Sequence, residues 1–167
     1  MDSLSQNCSA YSALRASLSD ARLSWMEQEA RKVLALADGN DAFEGTTTVP
    51  CHWDLWPSNV LVEGSGRWWV LDWDSLAVGD EAEDHATLVW PFVFSHGKNW
   101  RDLFGAQGDW RFAIRMDLHL QAISLDYLID VLADWADCDV PEWREEVQKR
   151  KQTEHEHYYD WYRSRWG

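Results

Sequence analysis

Five polar residues fall within one short span in an order that suits phosphoryl transfer. The segment Cys51-His52-Trp53-Asp54-Leu55-Trp56-Pro57-Ser58-Asn59-Val60-Leu61-Val62 is followed eight residues later by Val70-Leu71-Asp72-Trp73-Asp74. Asn59 and Asp72 offer one amide oxygen and one carboxylate. Such a sparse oxygen set suits Mg²⁺, which keeps sites open for water and substrate phosphates. Asp54 is a third oxygen group, placed to orient a hydroxyl and accept its proton. Phosphoryl transfer needs little more from a protein than positioning and charge neutralisation. The bland alternative for Asp54 is a turn or capping role, common for a loop aspartate.

These residues can meet only if the chain doubles back. Asn59-Val60-Leu61-Val62 and Arg67 to Trp73 read as two strands, and Glu63-Gly64-Ser65-Gly66 between them is a turn sequence. A tight hairpin brings the start of its first strand beside the end of its second. Asn59 and Asp72 are therefore expected to be neighbours, with Asp54 close by in the preceding loop and Asp74 just beyond.

The rest of the chain reads as mostly helical. Ser9 to Ala37 has helical spacing, with a break and N-cap at Ser19-Asp20 and a stop at Gly39-Asn40. Thr46 to Cys51 is a short β-branched stretch whose Pro50 suggests an edge or a strand end. Glu81 to about Trp90 is a helix ended near Pro91, with Asp80 as N-cap. Ser95 to Gly108 reads as a loop. Trp110 to Trp135 is a long helix with a possible break at Ser124, and a last helix runs from Pro141 to about Arg163. The expected fold is mainly α with a small β-hairpin, one domain over residues 1–167, with the motif core at 50–90.

The pattern His52-x-Asp54 with Asn59, a hairpin, and Asp72-Trp73-Asp74 resembles the aminoglycoside phosphotransferase and choline kinase-like family, whose fold is related to protein kinases. The usual pattern there is H-G-D-x-x-x-x-N, a short hairpin, then I-D-W-[DE]. Val78-Gly79-Asp80-Glu81-Ala82-Glu83-Asp84 also resembles the G-D-P-x-x-D continuation. The resemblance implies Asp54 as catalytic base, Asn59 and Asp72 as Mg²⁺ ligands, and Asp74 as a further metal or substrate group. It implies that His52 and Asp84 support the site structurally, with Asp84 bracing the loop from the following helix. ATP is the implied donor and a small molecule with a hydroxyl the acceptor. Trp53 departs from the pattern, standing where a small residue is usual, and Ser58 stands where Gly is common.

A second departure concerns the part of the family that grips ATP. No Gly-rich loop followed by a strand lysine precedes His52, and Lys32 lies in an apparent helix. The expectation is a C-terminal lobe alone. It would be a truncated form, a half that borrows a separate N-lobe or protein partner, or a non-catalytic kinase-like binding module.

Composition narrows the partners. The 167 residues carry a net charge of −14, and between Asn40 and Gly97 ten carboxylates accompany one strongly basic residue, Arg67. That charge excludes a nucleic-acid footprint and suits metal ions and a cationic, aminoglycoside-like acceptor. Cys8, Cys51 and Cys138 show no paired spacing, as expected of reduced thiols. With no signal-peptide core and no apolar run of spanning length, a cytoplasmic protein with no membrane partner is expected. The 13 tryptophans exceed what one core buries, so many should be half-exposed. Trp68, Trp69 and Trp73 are expected to pack the hairpin on helices. His155-Glu156-His157 reads as a surface helix, because alternating helical residues do not share a face.

Overall fold

A computed structural model describes residues 18–104, 109–136 and 142–167. In chain order the elements are α1 (Asp20–Asp38), β1 (Val49–Cys51), β2 (Val60–Val62), β3 (Trp68–Val70), β4 (Ala77–Gly79), α2 (Glu81–His96), α3 (Trp100–Phe104), α4 (Trp110–Ala136) and α5 (Arg144–Trp166). Single 3₁₀ turns lie at Asp41–Phe43, Pro57–Asn59 and Trp73–Ser75. The fold is mainly α with a small β component, as the sequence predicts. Two compact units divide the chain, one Leu34–Ile123 and the other the segments up to Val33 and from Ser124 to Gly167. The motif lies wholly in the first of these. Among the described residues no helix is long and apolar enough to cross a membrane.

Within Leu34–Ile123 the strands form two antiparallel pairs. The expected hairpin is β2–β3, with Leu61 opposite Trp69. The second pair, β1–β4, joins Val49 to Gly79 and Cys51 to Ala77. β4 escaped the sequence reading because three residues are too few to show alternation, and their pairing is with a strand 26 residues away. Helix α2 packs on β1 and on α3. The buried residues include Cys51, Ala82, Ala86, Val89, Trp90, Val93 and Met116.

Helix α2 starts where expected, with the Asp80 carboxylate accepting from the Ala82 N–H at 3.1 Å. It does not end near Pro91 but continues to His96, and Gly97 stops it at φ 59. An internal proline costs about 3 kcal/mol. Burial of Val89, Trp90 and Val93 on the same face offsets this at roughly 1.5–3 kcal/mol per large side chain. The span read as a loop contains α3, anchored by buried Trp100, whose indole donates to Asp117 at 2.7 Å. Helix α4 runs unbroken through Ser124, and α5 begins at Arg144 and reaches Trp166. Residues 9–17 and Pro141, placed in helices by the sequence, lie outside the described residues.

In the other unit α1 begins after Ser19, whose hydroxyl and carbonyl accept from Arg22. Here α5 is no free surface helix. Tyr162 is fully buried, Trp25 meets Tyr159 and Tyr162 edge-on, and Tyr162 donates to Glu29. His155 is buried as well, which corrects the surface assignment, while His157 is exposed. The His155 Nδ1–H donates to Leu128 O at 2.9 Å, and Nε2 accepts from Arg22 Nη1 at 3.1 Å. Both ring nitrogens are satisfied by the neutral ring.

Burial therefore holds the His155 pKa below its ordinary value of 6.5, and the Arg22 charge lowers it further against the Leu128 bond. The unfolded imidazole takes a proton as pH falls through about 6.5 and the folded one resists. The stability His155 contributes is complete above that pH and is lost as pH falls towards the depressed folded value. Thermal melts at about pH 8 and about pH 5 should show a larger drop in wild type than in His155→Gln.

Candidate functional site

The loop from His52 to Asn59 leaves the buried end of β1 and is fastened at three points. The first is Asp84, one turn into α2. Its Oδ2 accepts from the His52 N–H at 2.7 Å and its Oδ1 from the Trp53 N–H at 2.8 Å. The spacing of Asp80 and Asp84 makes this possible, because the N-cap sets where α2 begins and Asp84 follows one turn later. Asp80 is itself gripped. Arg115 Nε lies 2.9 Å from its Oδ2, His119 Nε2 donates to the same oxygen at 3.1 Å, and Arg115 Nη1 donates to Ala42 O. Burial opposes charge on Asp80, but these hydrogen bonds and the Arg115 charge outweigh it and hold the carboxyl below the usual range. Burial pushes Glu83 the other way, upward.

The second fastening is His52. Its ring is 1% exposed, its Nε2–H donates to Leu71 O at 2.7 Å, and it lies 4.7 Å from the Trp73 ring. His52 thus joins the loop to the chain leaving β3. Its Nδ1 is buried without a hydrogen bond, so the ring offers no exposed nitrogen for chemistry.

The third is Asn59. Its side-chain amide donates to Asp54 O at 2.9 Å and to Asp54 Oδ2 at 3.1 Å. Both acceptors are oxygens, so the NH₂ must face Asp54 and the amide Oδ1 faces away. The Leu71 N–H donates to Asn59 O at 2.9 Å, which brings Asp72, the next residue, to the same end of the hairpin. The chain thus gathers His52, Asp54, Asn59, Asp72 and Asp84 around one loop. Asp74 lies just beyond, exposed in the 3₁₀ turn Trp73–Ser75. It holds no hydrogen bond or ion pair among the described residues.

Among the described residues two non-glycine residues have positive φ, and both belong to the motif: Trp53, directly before Asp54, at 61° and Asp72 at 62°. The left-handed region costs a residue with a Cβ roughly 1–2 kcal/mol. Residue 53 is the position where the resembled pattern carries glycine, and its backbone angle explains that preference. The tryptophan was legible as a departure, but its strain was not. Trp56 was also missed as a brace: it meets Trp90 of α2 edge-on at 6.1 Å.

Trp68, Trp69 and Trp73, expected to be covered by helices, stay about half exposed or more. They are 62%, 47% and 49% exposed. The hairpin is two-stranded, and Leu61, Val62 and Leu71 are exposed with them. Cys51 is buried, and burial with the nearby Asp84 charge pushes its thiol pKa up, so it stays a thiol at neutral pH.

Among the described residues no three His, Cys, Asp or Glu side chains converge as a metal site. A Mg²⁺ site of the kind the sequence suggests does not require that, since it uses one amide oxygen and one carboxylate. The orientation of Asn59 fits it: with the NH₂ committed to Asp54, the hard Oδ1 is the atom left for a cation.

The bracing by Asp84 has a direct test. In Asp84→Asn one of the two acceptors becomes an NH₂ group, which cannot receive the loop N–H. A charge-assisted pair reduced to one neutral bond costs about 1–3 kcal/mol. Chemical denaturation should show that loss, and hydrogen exchange should show faster exchange at the His52 and Trp53 amides.

A comparison with curated proteins gives no match. The sequence profile of the phosphotransferase enzyme family matches residues 2–116, from ahead of α1 through the hairpin and α2 into α4. That match covers more than half of the chain and includes every element that fastens the loop. The chain belongs to the phosphotransferase enzyme family.

Proposed function

We propose that the site transfers the γ-phosphoryl group of ATP to a hydroxyl of a small molecule, with Mg²⁺ held by Asn59 and Asp72. The observation that carries this reading is the Asn59 clamp. One side chain ties Asp54 in place through two hydrogen bonds and turns its own oxygen outward. Asp54 then takes the proton of the acceptor hydroxyl as that oxygen bonds to phosphorus and the bond to the ADP oxygen breaks. Mg²⁺, when bound, supplies charge neutralisation on the phosphate oxygens. Asp84 and His52 hold the loop still, so that little reorganisation accompanies the step. Asp74, exposed beside Asp72, is available to the metal or to a cationic acceptor. The excess of carboxylates around the loop favours such an acceptor, and a cytoplasmic setting supplies both ATP and Mg²⁺.

A second reading is a kinase-like module that binds rather than catalyses, or that completes its site with a separate lobe. The exposed hairpin favours it. Leu61, Val62, Glu63, Trp69 and Leu71 line an open depression of about 490 Å³ on the hairpin, and apolar surface of this kind marks contact sites.

Titration calorimetry and a turnover assay with ATP, Mg²⁺ and a panel of cationic alcohols separate the two. On the first reading Asp54→Ala lowers turnover by about 10²–10⁴-fold while ATP·Mg²⁺ binding persists. Asn59→Ala and Asp72→Ala weaken metal-dependent binding. Absence of binding and turnover, with no rescue by an added N-lobe, would leave the binding module as the function.

A further inference from the structure

Gly79 is a strand residue with no turn to make. It pairs with Val49, and its φ is not positive, so its backbone would accept a side chain. What excludes one is Trp53. A Cβ at residue 79 would lie 2.6 Å from Trp53 Nε1, 3.3 Å from Cε2 and 3.4 Å from Cζ2. The indole rests directly on the β4 backbone, which is paired to β1. Trp53 has the converse problem: its φ of 61° suits glycine, yet the position carries the largest side chain.

These are two halves of one arrangement. The Trp53 N–H is held by Asp84, and Asp84 stands on the helix that follows Gly79 through Asp80. The ring holds the same residue from its other end. On the far side of Asp54, its carbonyl accepts from Trp56 N at 2.9 Å and from Asn59 Nδ2 at 2.9 Å. We propose that Trp53 and Gly79 are a coupled pair of positioning residues, the indole seated on the bare strand backbone setting the direction in which the chain reaches Asp54. The consequence for catalysis rests on the assignment of Asp54 above. The pairing itself does not.

Five proteins test it without nucleotide: wild type, Gly79→Ala, Trp53→Gly, the double variant and Trp53→Ala. Gly79→Ala should lower the melting temperature by about 4 °C or more and speed exchange of the 52–54 amides about tenfold. In the Trp53→Gly background the same alanine should cost almost nothing in either measurement. The nitrogen-15 spectrum reads the positioning. The Asn59 side-chain NH₂ signals, which report its bonds to Asp54, should move in Gly79→Ala and return to the Trp53→Gly values in the double variant. Trp53→Ala keeps the backbone cost and removes the ring, so it should move those signals even if Gly79→Ala does not fold. Additive effects of the two substitutions would overturn the coupling. Asn59 signals that stay put in Gly79→Ala or Trp53→Ala would overturn the positioning role. Neither result bears on whether the site transfers phosphate, which turnover measures separately.

Discussion

The Asp84 carboxylate receives two consecutive backbone N–H groups, His52 and Trp53, at 2.7 and 2.8 Å. A loop in which successive residues take unlike conformations has no ladder to satisfy its amides. One charged side chain can do so for two of them, and charge-assisted bonds are roughly twice as strong as neutral ones. The position of Asp84 depends in turn on where α2 starts. Asp80 sets that point as N-cap, and Arg115 and His119 hold Asp80. A chain of electrostatic contacts therefore runs from α4 through the first turn of α2 to the residue before Asp54.

The loop is held from its other end by groups on the hairpin. His52 donates to Leu71 O, and Leu71 N donates to Asn59 O. Asn59 then reaches back to Asp54. The same backbone exchange that closes the hairpin delivers Asp72, so sheet register and site assembly are one event. The left-handed angles at Trp53 and Asp72 show where this closure is strained. Strain at such positions persists only where surrounding contacts over-determine the backbone, as the Asp84 bonds and the Gly79 contact do at Trp53.

The arrangement is also electrically one-sided. Asp54, Asp72 and Asp74 lie in a stretch of chain with a single strongly basic residue, Arg67. The metal ion proposed above would meet little competing positive charge there. Membership of a phosphotransferase family and this charge distribution are both compatible with the chemistry proposed above.

The sequence by itself determined the polar set His52, Asp54, Asn59, Asp72 and Asp84, the turn Glu63–Gly66 between two strands, and the N-cap at Asp80. Each depends on local spacing, on turn chemistry or on a recognisable pattern, and those are readable along a chain. Tertiary structure decided the rest. Helix α2 runs past Pro91 because its far half has apolar partners. His155 is buried because Leu128 and Arg22 meet both its nitrogens. The hairpin tryptophans stay largely exposed, with only local partners such as His52 against Trp73 and Glu63 bonded to Trp69. Gly79 looked like part of a motif, and the need for it became clear only when the Trp53 ring was found lying on it. Such facts depend on which surfaces meet, and residues far apart in sequence carry no local mark of the neighbour they will have.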